Sequence, residues 1–206
     1  MRRAKIEDGE YRIGLLRYST DADIQFDLIS HDTTKEARFD VDSMKYNGGD
    51  VNTANAIDVA RQQMFTTEKG DRDYARNYII LLTGQERSLS TNGAWAAAER
   101  AEDESIQLYV VGLDIDDTME LDETPSHPLS TYQYLTRNER EVMEVPDKIR
   151  ATLPPSKYIT SYENVKVYFQ QYISDILAIH FIVGGNWGNT LRFFKVSISV
   201  RKCLPS

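Results

Sequence analysis

A chain of 206 residues with 41% hydrophobic and 27% charged residues suits one globular domain with room for a short appendage. Its formal net charge of -8 argues against general affinity for nucleic acid or anionic lipid, and no stretch approaches the roughly 20 consecutive apolar residues that span a bilayer. The single cysteine, Cys203, excludes an intramolecular disulfide and cysteine-based zinc sites.

The start, Met1-Arg2-Arg3-Ala4-Lys5, is basic, but Glu7-Asp8-Gly9-Glu10 follows where a signal peptide has its apolar core. Tyr11 to Ser19 reads as a strand, ended by a turn at Thr20-Asp21-Ala22-Asp23. Ile24-Gln25-Phe26-Asp27-Leu28 alternates apolar and polar, so it reads as a strand with one exposed face. So short a connection predicts an antiparallel hairpin with the second strand at a sheet edge. Asp32-Thr33-Thr34 offers N-caps for a short helix to Met44, and Tyr46 to Val51 reads as a loop around Gly48-Gly49. Asn52 or Thr53 caps the next helix, whose Ala56, Val59, Ala60 and Met64 recur at helical spacing.

After a polar loop from Thr67 to Arg76 comes the stretch that organises the chain, Tyr78-Ile79-Ile80-Leu81-Leu82, closed by Thr83-Gly84. A short unbroken apolar run bounded by turn formers reads as a strand buried on both faces. A helix through Ala94 to Ala101 and a second such run, Ile106 to Gly112, complete a βαβ unit with a parallel pair. Ligands of such sheets sit at the carboxyl ends of the strands, which directs attention to Thr83-Gly84 and to Gly112-Leu113-Asp114.

The acidic stretch that follows (Asp114, Asp116, Asp117, Glu120, Asp122, Glu123) lacks the glycine and terminal glutamate of an EF-hand loop and reads as a solvated loop. A helix is expected from Ser130 to Glu144, then a Pro-punctuated loop to Pro154-Pro155, a last strand Lys157 to Tyr162 and a helix Glu163 to Ala178. Ile179 to Ser206 differs in character; its glycine cluster is a weak phosphate-loop signal, and Val196 to Val200 alternates like a strand.

This order of elements resembles the von Willebrand factor A domain. Arg12 to Ser19 resembles that family's second strand and Ile24 to Leu28 its edge strand. Gly48-Gly49-Asp50-Val51-Asn52-Thr53-Ala54-Asn55-Ala56-Ile57 is similar to its Gly-Gly-Thr-Asn-Thr-Gly-x-Ala-Leu loop and helix start, and Tyr78 to Thr83 and Leu108 to Gly112 to its next two strands. Tyr158 to Tyr162 with its helix resembles the closing pair. The likeness is nearest to extracellular matrix members such as matrilins and the collagen VI type. It implies an α/β fold, a three-layer, open, mostly parallel sheet with helices on both faces, Rossmann-like, with one antiparallel edge strand. The domain is expected over residues 1–178, incomplete at its N-terminus because the first, central strand is missing, with 179–206 as an unmatched tail. Val196 to Val200 is a candidate to fill the vacancy.

Family members that bind ligand through a metal use Asp-x-Ser-x-Ser, the first threonine of Thr-Asn-Thr, and an aspartate after the central strand. Nothing before Glu10 resembles the first motif; Val51 and Gly84 stand at the other two positions, and neither ligates. Magnesium wants an octahedral set of oxygens, so the resemblance implies a degenerate metal ion-dependent adhesion site, no metal and no cofactor. What it implies in function is a non-enzymatic protein-binding module of a matrix-type protein, with matrix proteins such as collagen as partners. Possible contacts are Asn47, Asp50, Asn52, Gln85, Glu86, Arg87, Asp114 and Asp116.

Two other classes compete. An open-sheet hydrolase would need a phosphate loop, a Gly-x-Ser-x-Gly elbow or His-Glu-x-x-His, and none occurs; His31, His127 and His180 have no nucleophile at a family spacing. An intracellular scaffold domain, assembling proteins in the cytoplasm, agrees with the lack of a visible signal peptide. An extracellular or secreted place, as part of a longer protein, agrees with the resemblance.

Overall fold

The computed structural model describes residues 6, 11–44, 50–84, 91–153 and 195–201, with only the backbone of 91–92 and 195–201. The central apolar run forms β3 (Ala75–Thr83), buried from Tyr78 to its end. It pairs in parallel with β4 (Ile106–Leu113), in register from Asn77 opposite Ile106 to Thr83 opposite Gly112. Successive side chains of a strand point to opposite faces, so Tyr78, Ile80 and Leu82 enter one core while Ile79 and Leu81 enter another. Each fully buried side chain of this kind contributes roughly 1.5–3 kcal/mol. Both faces must therefore be covered, and they are.

On the first face lie α1 (Thr34–Asp42) and α6 (Glu139–Thr152), which contribute Ala37, Val41, Val142, Val145 and Ile149. Tyr78, Tyr109 and Tyr132 stack through this core with centroid separations of 6.0 and 4.7 Å, and Tyr109 shares a 2.7 Å hydrogen bond with Thr152 of α6. On the second face lie α2 (Thr53–Val59), continued by a π turn Ala60–Met64, α3 (Thr91–Asp103) and α4 (Met119–Glu123). Alanines at 97, 98 and 101 let α3 approach the sheet closely. Asp58 on α2 ties it to α3: burial alone would raise its carboxyl, but hydrogen bonds from Arg100 and Arg61 outweigh that and hold it below the ordinary carboxylate range.

The predicted caps form. Thr33 caps α1 with Glu36 in a reciprocal capping box, and the Asn52 side chain caps α2 by accepting from Asn55 N. The hairpin of β1 (Tyr11–Tyr18) and β2 (Ala22–Phe26) is antiparallel, and β2 lies at the edge of a sheet ordered β2-β1-β6-β3-β4-β5.

The region after β4 departs from the sequence reading. The expected helix from Ser130 to Glu144 is instead a short α5 (Leu129–Tyr132), then β5 (Gln133–Thr136), then α6. Gln133-Tyr134-Leu135-Thr136 pairs in parallel with Val110–Leu113, where aromatic and β-branched residues suit a strand better than a helix. Asn138 then caps α6 by accepting from Glu141 N. The expected Pro-punctuated loop is helical as far as Thr152; α6 carries Pro146 in its interior, its ring buried with Val142, Val145 and Ile149. Burial of those four outweighs the backbone hydrogen bond that proline removes. Strand Lys157 to Tyr162 and helix Glu163 to Ala178 lie outside the described residues.

The vacancy in the middle of the sheet is filled by the alternating run named for it, Val196 to Val200. This run lies in β6 (Lys195–Arg201), between β1 and β3 and antiparallel to both, so the sheet has an antiparallel strand inside it as well as one at its edge. Deleting residues 179–206 removes β6 and exposes one side each of β1 and β3. Unpaired edges recruit other chains, so the shortened protein is expected to aggregate and to lose its cooperative thermal transition. A monomeric deletion variant with an unaltered melt refutes the placement of β6.

Candidate functional site

Strands β1, β3, β4 and β5 all run the same way, so the loops after Tyr18, Thr83, Leu113 and Thr136 gather at one rim. Backbone bonds fix it: Asn52 N donates to Ser19 O at 2.9 Å, drawing the loop before α2 onto the end of β1. Asp114 N donates to Thr136 O at 2.7 Å, joining the ends of β4 and β5, with Asp114 at a positive φ of 54°.

Of the possible contact residues, the structure places Asp50, Asp114 and Asp116 exposed on this rim. Asp116 pairs with Arg137 at 2.5 Å, and the Asn52 side chain is engaged as a helix cap. Asn47, Gln85, Glu86 and Arg87 lie outside the described residues. Val51 is only 2% exposed and packs with Leu16, Ala56 and Ile57, so its hydrocarbon is directed into the core. Gly84, at the end of β3, has no side chain to offer.

Beneath the rim lies a polar cluster that the sequence reading missed. Glu120, read there as one of many solvated carboxylates, is 4% exposed and accepts from Thr53 Oγ1 at 2.9 Å. Thr124 Oγ1 donates to the Glu120 carbonyl at 2.7 Å. Tyr18 donates through its hydroxyl to Leu82 O and also bonds the side chain of Thr83; burial first, and the field of Glu120 in addition, push its phenol far above the ordinary value, so it stays protonated. Thr53, Thr83 and Tyr18 are themselves buried. What brings Glu120 inward is α4, whose Leu121 lies against β4 at Gly112, where any Cβ would stand 2.9 Å from Leu121 Cδ1. The two apolar residues beside Glu120 in an acidic run, Met119 and Leu121, were the available signal, and it is a weak one.

This cluster is built for structure. A buried hydroxyl deprived of its acceptor costs about 1–3 kcal/mol. Glu120→Ala is therefore expected to destabilise the fold by about that amount in urea unfolding, and Glu120→Gln, which keeps a carbonyl acceptor, by less. Equal stability of wild type and Glu120→Ala refutes the buried Thr53–Glu120 bond.

Among the described residues, no group of three or more His, Cys, Asp and Glu side chains is placed to hold a metal ion. Comparison with known proteins gives a consistent picture. The chain is 31% identical over 164 residues to the collagen alpha-1(XII) chain of Notophthalmus viridescens, covering 73% of this chain and 17% of that one. It is 28% identical over 143 residues to matrilin-2 of Mus musculus, covering 68% and 14%. The chain thus spans less than a fifth of the length of these relatives. Proximal thread matrix protein 1 from the mussel byssus has a similar fold, with a TM-score of 0.56 at 18% identity over 62% of this chain and 33% of its own. The model of the von Willebrand factor type A domain matches residues 1–148. The chain belongs to the von Willebrand factor type A domain family.

Proposed function

We propose that this domain is a non-enzymatic protein-binding module of the extracellular matrix type, part of a longer secreted or matrix protein, whose metal ion-dependent adhesion site is degenerate. The observation that carries the loss of metal is Val51. At the position of the family's ligating threonine stands a side chain 2% exposed and packed among hydrocarbon. The next hydroxyl along, Thr53, is spent on Glu120. Gly84 brings no carboxylate at the aspartate position, so the described side chains do not fit an octahedral cation. The matrix reading is supported by relatives that are collagens and a matrilin. Contact with a partner then comes from rim side chains and loops instead of a carboxylate-to-metal bond.

Two experiments test this. Titration calorimetry with magnesium or manganese is expected to give no saturable heat; one-site binding at micromolar strength overturns the degenerate site. The rim, with Asp50, Asp114 and Asp116 exposed, favours a basic partner, and binding should weaken with added salt. A variant with Asp50, Glu86 and Asp114 changed to lysine should capture less from matrix extract than wild type. Unchanged capture moves the interface off the rim.

A further inference from the structure

A cleft of about 560 Å³ opens between α3 and the segment running from α4 to His127, lined by Trp95, Ala96, Asp122, Glu123 and His127. None of these is a rim residue. The opposite side of α3 is sunk into the core through Ala94, Ala97, Ala98 and Ala101, which leaves the Trp95 indole 48% exposed as one wall. Met119, 60% exposed, stands one helical turn before Glu123 on α4. Two large apolar side chains therefore flank the carboxylates instead of being buried.

The charges of the cleft are unbalanced. Some acids of this surface have cations: Asp58 has Arg100 and Arg61, and Asp116 has Arg137. Glu123 accepts no hydrogen bond and joins no ion pair among the described residues. Asp122 is held by neutral donors alone, Gln133 Nε2 at 2.7 Å on Oδ1 and Thr118 Oγ1 at 2.9 Å on Oδ2. Those bonds fix the direction of the carboxylate without cancelling its charge. The result is an indole face and two carboxylates around one volume, open to solvent.

We propose that this cleft takes the guanidinium of an arginine side chain presented by a protein partner. A guanidinium is planar and weakly hydrated, so one group can both stack on an indole and hydrogen-bond a carboxylate through its fork. An ammonium matches the charge but keeps its water and lacks the plane. Glu123, with both oxygens free among the described residues, supplies the paired acceptor; oriented Asp122 supplies the second negative charge.

The test uses the full chain, isotopically labelled so that the indole N–H signal of Trp95 is read by NMR, assigned by its absence from Trp95→Phe. Peptides acetyl-Gly-X-Gly-amide with X as arginine, lysine or citrulline are titrated at millimolar concentration. A saturable shift of the Trp95 signal is expected with arginine, a weaker one with lysine and none with citrulline. Trp95→Ala and Glu123→Gln, both at exposed sites, are each expected to weaken arginine-peptide binding about threefold, and together about tenfold, followed through backbone amide shifts. No shift with arginine, an equal shift with citrulline, or an affinity unchanged in the double variant overturns the proposal. So does a concentration-dependent shift without peptide that vanishes in Trp95→Ala, which assigns the cleft to a second copy of this chain. The rim lysine variant should bind the arginine peptide as wild type does, so failure of the rim reading and failure of the cleft are told apart.

Discussion

The two-sided burial of β3 constrains everything else in this domain. Tyr78 to Thr83 sends alternate side chains into two cores, and β4 does the same from Ile106 onward. Neither strand has a face fit for water, so each side of the sheet needs its own layer of helices. A parallel pair also needs a crossover, and α3 supplies it while covering one side. The other face is closed by α1 and α6, which come from distant parts of the chain. The three-layer architecture is thus the consequence of one five-residue apolar run and its partner.

The same constraint makes the rim and decides its chemistry. Parallel strands end together, so their loops converge, and the ends of β1 and β3 bring Tyr18 and Thr83 within bonding distance below the surface. Polar groups buried there must find partners. In this chain they find one another, with Thr53 on Glu120 and Thr124 on the Glu120 carbonyl, and α4 is thereby pinned over the end of α2. The proposed loss of the metal rests on hydroxyls turned inward in this way to a fixed carboxylate. Beside them Val51 packs into the hydrocarbon core.

The parts legible in the sequence were those with a strong local signal. Unbroken apolar runs gave β3 and β4, an alternating run gave the edge strand β2, and Thr33 and Asn52 gave the helix caps. The errors arose where long-range packing outweighed the local pattern. Gln133 to Thr136 has too few residues to declare a period, and only pairing with Val110–Leu113 makes a strand of it. Pro146 reads as a helix breaker, yet the buried stripe of α6 carries the helix past it. The vacant middle of the sheet, by contrast, was legible as a place for the alternating run Val196 to Val200, and two antiparallel ladders put β6 there. Glu120 was invisible because charge type suggests solvent, and only the tertiary contact of Leu121 with β4 brings its neighbour inside.

Charge balance separates the surface into parts that are finished and parts that are not. With a net charge of -8, acids outnumber bases, and the described cations are spent selectively. Asp58 receives two arginines and holds α2 to α3; Asp116 receives Arg137 at the rim. Ion pairs this exposed are worth little in stability, about 0–1 kcal/mol, so their arrangement matters more for the potential they leave behind. Where both partners are present, the field cancels within a few ångströms. Around Asp122 and Glu123 it does not, and the exposed indole of Trp95 stands beside them. A diffusing partner meets these two kinds of acid differently. Paired acids offer it only an exchange of one ion pair for another, with no net gain in charge neutralised, whereas unpaired acids beside an aromatic face offer it new contacts. Recognition in this domain is therefore expected to follow the unpaired carboxylates, not the total charge.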